Sequence, residues 1–172
     1  MIRRATLDDL DVIWALRLKT SALLKKRGID QWQSIFPTLS QFKRDIDEQS
    51  FYVLVLDQIV GMMSLKEGVE PTYDVIYEGD WHQDIPYVTI HRIAVDEAYR
   101  GQGHGMELLN FAKHEAERLG YHYLRIDTHQ KNLAAIHRFT SFGFQYCGYI
   151  LLDESHPTER KRLAYDLYWE YL

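Results

Sequence analysis

Cysteine is nearly absent from this chain. Cys147 is the only one in 172 residues, so no internal disulfide framework can form. No apolar run approaches the roughly 18 residues that a membrane-spanning helix needs. Residues 1–12 also lack the apolar core of a secretion signal. Together these absences predict a cytoplasmic protein with no membrane partner.

Positive charge is also scarce. The chain carries 20 Lys and Arg against 25 Asp and Glu, a net charge of −5, so a nucleic-acid partner is not expected. Hydrophobic residues make up 46% of the sequence and charged residues 26%, which is ordinary for a soluble protein with a substantial core. The length predicts one domain over residues 1–172.

Periodicity and capping residues predict the element order β-α-α-β-β-β-α-β-α-β-β. Thr6 is predicted to cap the first helix, which ends at Gly28, and Ser40 to cap the second. Asp57 and Gln58 are predicted to join two strands, and alternation over 163–172 predicts the last strand. The fold class is therefore α/β or α+β, in three layers, with a mixed central sheet of about seven strands flanked by helices.

Three glycines at alternate positions precede the clearest helical pattern, in the stretch "RGQGHG". Glycines leave their backbone N–H groups unshielded, and the first N–H groups of a helix have no internal partner. Together with the helix dipole, they predict an anion site suited to a diphosphate. The predicted loop comprises Arg100, Gly101, Gln102, Gly103, His104 and Gly105.

Two familiar phosphate loops do not match this stretch. A dinucleotide fingerprint starting at Gly101 would need a third glycine where Met106 stands, and a Walker loop needs Gly-Lys-Ser/Thr. A glycine-rich turn with no ligand is the remaining alternative. The pattern Arg/Gln-x-x-Gly-x-Gly/Ala does match, at Arg100, Gly103 and Gly105. A second pattern, Asn-x-x-Ala followed by an aromatic residue and Gly-Phe, is matched by Asn132, Ala135, Phe139, Gly143 and Phe144.

In both patterns the chain resembles the GNAT superfamily of N-acetyltransferases, most firmly from residue 87 to 148. The resemblance implies direct transfer of an acetyl group from acetyl-CoA, the co-substrate, to a primary amine of a small molecule or peptide. It also implies that backbone groups of Ile93, Ala94 and Val95 hold the cofactor arm, with the Val95 N–H facing the thioester oxygen. Asn132, Ala135 and Phe139 join the cofactor site. Dimers are common in the family, so a homodimer is one expected form.

Phe139 departs from the family pattern, which usually has a tyrosine there to protonate the departing thiolate. Phenylalanine has no proton to give. Tyr146, His137 or water replaces the tyrosine, or the thiolate leaves unaided. The departure also favours an alternative function, an acetyl-CoA sensor or regulatory module with little turnover.

Two histidines are the candidate general bases, because imidazole changes protonation near neutral pH. His91 lies four residues before Val95, so regular strand alternation places both on one face. His129 is the second candidate, and Asp127 is a candidate to orient either ring.

Aromatic residues in irregular segments predict an acceptor pocket formed by Trp32, Tyr77 and Trp81. No metal site is expected, because the histidines show no ligand spacing along a helix. Cys147 is expected to be a buried, inert thiol.

Overall fold

A computed structural model describes residues 1–170, and within them the predicted element order is confirmed. Seven strands form one sheet in the order β1-β2-β3-β4-β5-β7-β6, in which only β4 and β5 pair in parallel. The strands are β1 (Ile2–Arg4), β2 (Phe51–Val55), β3 (Ile59–Glu67), β4 (Val88–Val95), β5 (Tyr123–Thr128), β6 (Gln145–Leu151) and β7 (Lys161–Tyr168). The helices are α1 (Leu10–Lys26), α2 (Leu39–Asp47), α3 (His104–Arg118) and α4 (Leu133–Phe142).

The sheet separates two helical layers, as predicted. Strand β2 shows the reason, because its side chains alternate between two cores. Tyr52 and Leu54 join the core beneath α3 and α4, whereas Phe51 and Val53 join the core beneath α1 and α2. None of the helices in the described part of the chain is long and apolar enough to cross a membrane.

Local sequence explains most of the helix boundaries, with one correction. Thr6 begins a short 3-10 turn that leads into α1, and Gly28 follows that helix with a φ of 71°. Helix α2 is capped by Thr38 rather than the predicted Ser40. The Thr38 hydroxyl accepts the Gln41 N–H while the Gln41 side chain accepts the Thr38 N–H. This reciprocal pair satisfies two otherwise unpaired donors, which Ser40 is too far along the chain to do.

Two strand boundaries also differ from the prediction. Residues 56–58 join β2 to β3 instead of a two-residue turn, because pairing slips between Leu54 and Val55. Strand β7 runs from Lys161 to Tyr168, and the predicted Tyr171 lies outside the described residues.

Strands β4 and β5 diverge soon after they begin. Their pairing covers Val88 with Leu124 and Thr89 with Arg125 and goes no further. Beyond this point β4 also contains a bulge, where Arg92 has a φ of 52° and the register with β3 shifts. The divergence opens the sheet between the two helical layers and places the candidate site there.

A long irregular segment, residues 68–87, covers the part of the sheet that α1 and α2 do not reach. Its Tyr73 and Tyr87 are buried with Tyr123, Cys147 and Ile150 of the strands below. This segment covers that face of the sheet where no helix does so in the described residues. Its first residues border the opening between β4 and β5.

Candidate active site

The divergence of β4 and β5 opens a cleft of about 1100 Å³. One end of the cleft lies between the end of β4 and helix α4. The other end lies among residues 68–72, the start of β4 and the loop after α1. The two ends carry different groups and are described in turn.

The glycine loop lies at the N-terminus of α3, beyond the residues that line the cleft at the end of β4. Gly101 and Gly103 have φ of 77° and 84°, in the left-handed region that favours glycine, and Gly103 caps the helix. A Cβ at either position would have no atom within 4 Å. Their backbone therefore faces open space at the positive end of a helix, as an anion site requires.

Arg138 of α4 packs directly against Gly105, where any side chain larger than hydrogen would overlap its guanidinium. Within residues 1–170 no hydrogen bond or ion pair reaches that guanidinium, although it lines the cleft and is partly buried. Burial and the nearby positive charge of Arg100 lower the pKa of Arg138. A half-buried arginine without an anionic partner marks a place for an external anion.

Two further loop side chains extend this end of the site. His104 Nδ1 lies 3.2 Å from the Glu107 carboxylate, while its Nε2 is buried without a partner among the described residues. Gln102 and Arg100 are exposed at the rim. The loop therefore offers backbone amides together with ring and guanidinium donors, and its nearest carboxylate, Glu107, pairs with His104. These residues fit a diphosphate.

The last residues of β4 line the cleft through Ile93, Ala94 and Val95. The Asp96 amide donates to the Val60 carbonyl on the β3 side at 2.7 Å. Strand alternation then directs the Val95 N–H to the opposite edge, where β5 has already diverged. The role of this N–H at the cofactor stays a prediction.

The first turns of α4 complete this end. The Asn132 side chain caps the helix by accepting the Ala135 N–H at 3.2 Å, and it donates to Gln31 at 3.0 Å. Ala135 lines the cleft, and so does Phe139, whose ring is otherwise buried against Phe144 and Tyr165.

The other end of the cleft contains His91 beside Glu70. The His91 Nε2 lies 3.1 Å from a Glu70 carboxylate oxygen, and both side chains are about one-quarter exposed, at 22% and 24%. Burial raises the pKa of Glu70, but the hydrogen bond and charge of His91 outweigh burial and hold it at about 2. An ionised carboxylate can only accept, so Glu70 accepts from His91 Nε2 and orients the imidazole.

His91 does not share a face with Val95, contrary to regular alternation. The bulge at Arg92 shifts the register, so His91 pairs with Ser64 while Ala94 pairs with Met62, and these face the α1 side together. Arg92 holds the bulge through two hydrogen bonds of 2.8 and 2.6 Å to buried Asp45.

Asp127 also reaches this end of the cleft. Its carboxylate accepts a 2.6 Å hydrogen bond from the buried Tyr73 hydroxyl. Burial raises the pKa of Asp127, which the Tyr73 hydrogen bond and the charges of His91 and Arg162 only partly offset. This end of the cleft therefore contains Glu70, whose carboxylate is kept ionised, and Asp127, whose proton affinity is raised.

Comparison with known proteins identifies this arrangement. The model of the acetyltransferase (GNAT) family matches residues 17–144. The chain belongs to the GNAT family. It is 32% identical to a GNAT acetyltransferase from Streptococcus agalactiae 2603, whose crystal structure superposes with a TM-score of 0.90 over 99% of this chain and 96% of that one.

Other relatives are more distant. An uncharacterized N-acetyltransferase of Bacillus subtilis (strain 168), YesJ, is 22% identical over 84% of this chain and 81% of its own length. A putative streptothricin acetyltransferase from Bacillus anthracis str. Ames, solved with acetyl coenzyme A, is 24% identical. It covers 69% of this chain and 61% of its own, with a TM-score of 0.52, and shows the shared fold. The chain is accordingly an acetyl-CoA-dependent N-acetyltransferase.

In this acetyltransferase His129 does not reach the cleft. Its side chain is 1% exposed, Nε2 pairs with Glu159, and Nδ1 accepts the Lys131 N–H at 3.0 Å. Both ring nitrogens are therefore engaged in holding the loop after β5. The structure therefore gives His129 a structural environment, whereas His91 lines the cleft beside Glu70, and His156 lines it as well.

Of the three aromatic residues predicted to form an acceptor pocket, one lines the cleft and two do not. Trp32 lines the cleft, together with Phe36 from the same loop. Tyr77 instead stacks on Tyr149 of β6. The Trp81 ring packs on Tyr73 and donates to its carbonyl at 3.0 Å. Neither Tyr77 nor Trp81 lines the cleft, because residues 74–82 fold over β6 and β7.

The replacements considered for the missing tyrosine also lie elsewhere. Tyr146 is half exposed against Tyr165, and His137 is exposed on α4, so neither borders the cleft.

Two residues that line the cleft were not predicted from the sequence. Arg138 directly precedes Phe139 within a matched motif, so its position was a usable signal. Glu70 lies in a stretch without periodicity and gave none.

Proposed function

We propose that the protein transfers the acetyl group of acetyl-CoA directly to a primary amine that enters beside Glu70 and His91. The observation that carries the proposal is the Glu70–His91 pair, which borders the cleft near the diverging edge of β4. A base at this point is what removal of a proton from an attacking ammonium group requires.

Other residues of the chain bind the diphosphate and polarise the thioester carbonyl. The amides at Gly101 and Gly103 bind the diphosphate together with the Arg138 guanidinium. Acetyl-CoA, when bound, supplies the acetyl thioester. The Val95 N–H polarises the thioester carbonyl and stabilises negative charge on its oxygen.

His91 takes the amine proton, directly or through one water. Glu70 accepts from Nε2 and so keeps the ring in the orientation in which Nδ1 has a lone pair available. Glu70 is a positioning residue here, and His91 is the residue that exchanges the proton.

The acceptor end suits a cationic amine. Glu70 contributes a carboxylate that is ionised at neutral pH, and Trp32 and Phe36 contribute ring faces that attract ammonium groups. Both a small-molecule amine and a peptide amine fit this chemistry.

Tyr146 and His137 do not line the cleft, so we assign protonation of the thiolate to water. A free thiol has a pKa of about 8.5, which makes it an acceptable leaving group without a protein acid.

Phe139 is also the observation that favours the second candidate, an acetyl-CoA-binding module with little turnover. Thiol release from acetyl-CoA, measured across a panel of small amines and peptides, separates the two. The proposal predicts release with at least one cationic amine and loss of that release in His91→Ala. Acetyl-CoA binding without release across the panel would support the module instead.

A further inference from the structure

Three side chains with metal-binding atoms meet outside the cleft. His82 Nδ1 lies 2.7 Å from an Asp166 carboxylate oxygen and 3.4 Å from the Cys147 sulfur. The three atoms lie within 4.8 Å of one another. Asp166 and Cys147 are buried, at 2% and 4% exposed, whereas the His82 ring reaches the surface. None of the three lines the cleft.

The fold builds this cluster by close packing of residues 77–82 on β6. Gly79 lies against the Cys147 carbonyl and Gly148 against the Tyr77 carbonyl, and a Cβ at either glycine would overlap those atoms. Pairing between β6 and β7 slips between Tyr146 and Gly148, so Cys147 lies at a bulge. Bulges redirect side chains, and this one places the thiol beneath the loop that carries His82.

Hydrogen bonds fix the orientation of the Asp166 carboxylate, as they do for carboxylates that bind metal ions. One of its oxygens accepts the Tyr123 hydroxyl at 2.6 Å and the His82 amide at 2.8 Å. The other oxygen lies against the imidazole nitrogen, and the Cys147 thiol also interacts with this carboxylate. Outer hydrogen bonds of this kind orient a carboxylate toward an ion.

We propose that His82, Cys147 and Asp166 form a zinc site with a fourth position open to solvent beside His82. One thiolate, one imidazole and one carboxylate form a donor set that favours zinc over magnesium or calcium. On binding, the Cys147 thiol loses its proton to solvent, and the proton on His82 Nδ1 moves to Nε2 on the exposed side. The thiolate and the Asp166 carboxylate balance the two charges of the ion.

The distances require a small adjustment. Ligand atoms around a tetrahedral zinc ion lie roughly 3.3 to 3.7 Å apart, given its usual bond lengths. The sulfur-to-nitrogen distance of 3.4 Å already fits. The nitrogen-to-oxygen distance has to open from 2.7 Å, which the surface position of His82 allows. Arg125 pairs across from Asp166 and adds a positive charge, but its guanidinium is stacked between Trp81 and Tyr87.

Such a site would tie residues 68–87 to β6 and β7. The same segment carries Glu70 and Tyr73 at the acceptor end of the cleft. The ion would therefore stabilise the segment that carries Glu70 without touching the reacting groups.

Zinc and cobalt titrations of the full chain test the site. We expect one zinc ion per chain and a higher Tm in its presence, because an ion that binds the folded state stabilises it. Cobalt should give a near-ultraviolet thiolate-to-cobalt band. His82→Ala and Cys147→Ser should each weaken zinc affinity by about a hundredfold. Mutation of residues that only hydrogen-bond to the ligands already costs up to about that much, and loss of a ligand should cost no less.

His114→Ala is the matched control, because exposed His114 pairs with Glu117 at 3.2 Å on α3 without a thiol nearby. It should keep full zinc affinity and the cobalt band. Acetyl-CoA binding reports folding of each variant, since the cluster lies outside the cleft. Absence of stoichiometric zinc binding in the wild-type chain would overturn the proposal. Equal affinity in folded His82→Ala, Cys147→Ser and wild-type chains would overturn it as well.

Discussion

The cleft end beside α4, where we propose that the diphosphate binds (the diphosphate end), is lined by Arg138, and the glycine loop and Arg100 lie next to it. The acceptor end presents the titratable side chains of Glu70, His91 and Asp127. The first end lies almost entirely within residues 93–139, whereas the second is assembled from the loop after α1, the long segment 68–87 and strands β4 and β5.

This difference has a physical cause. A diphosphate needs donors and positive potential, which one helix N-terminus and its neighbouring helix supply locally. Proton transfer needs a particular ring in a particular orientation, which several distant segments fix by hydrogen bonds. The two ends should therefore respond differently to mutation: one through cofactor affinity and the other through rate.

The largest effect is expected at the acceptor end. His91→Ala should lower kcat/KM by about a hundredfold, the usual contribution of a positioned base, and leave the acetyl-CoA Kd nearly unchanged. The acidic limb of the pH–rate profile should disappear with the imidazole. His129→Ala is the control, since its ring is sealed from the cleft. That variant should lose stability and keep the limb, and the reverse pattern would place the base on β5.

At the diphosphate end, Arg138→Met should weaken acetyl-CoA binding by roughly thirtyfold, because a hydrogen bond to a charged group contributes about 1.5 to 3 kcal/mol. Methionine keeps much of the volume against Gly105. Calorimetry measures the affinity, and exposed Arg44→Met on α2 is the control. A loss that does not shrink as salt concentration rises would argue against a contact between two charges.

A smaller effect is expected from Gly103→Asn, about tenfold or 1.4 kcal/mol in acetyl-CoA binding. Asparagine tolerates the left-handed backbone, so the side chain enters the space before the helix with little strain. Gly120→Asn is matched to it, because Gly120 follows the other end of α3 with a φ of 91° and equally open surroundings. Similar affinities in both folded variants would exclude Gly103 from the binding loop.

The smallest effect concerns stability. Glu70 has a folded-state pKa of about 2 against an ordinary 4.5, so its ionised form is favoured by folding. Its contribution is present above about pH 4.5 and is lost as pH falls toward 2. Urea unfolding of Glu70→Gln and wild type should show a stability gap that narrows across this range. A gap that stays constant with pH would mean that the Glu70–His91 pair is not charged in the folded protein.

The same comparison explains what the sequence could predict. The element order and the diphosphate loop follow from local signals, namely caps, periodicity and bare glycines next to a helix. Thr38 was also within reach, because Thr38 and Gln41 have the spacing of a reciprocal cap. The error there was one of choosing between two nearby hydroxyl residues.

The acceptor end depends on contacts that no local pattern contains. The face of His91 is set by a bulge at Arg92, and that bulge is held by Asp45 from another element. Tyr77 and Trp81 lie away from the cleft because Gly79 and Gly148 allow their segment to pack closely on β6. Likewise, His82, Cys147 and Asp166 are too far apart in sequence to show a ligand spacing.

A double-mutant cycle tests most directly whether one end of the cleft sets acetyl-CoA affinity and the other sets the rate of transfer. The acetyl-CoA Kd and the single-turnover acetyl-transfer rate at saturating acetyl-CoA are measured for wild type, His91→Ala, Arg138→Met and the double variant. If the two ends act separately, His91→Ala changes only the rate, Arg138→Met changes mainly the Kd, and the effects add to within about 0.5 kcal/mol. A coupling above about 1 kcal/mol, or a Kd that changes as much in His91→Ala as in Arg138→Met, would contradict it.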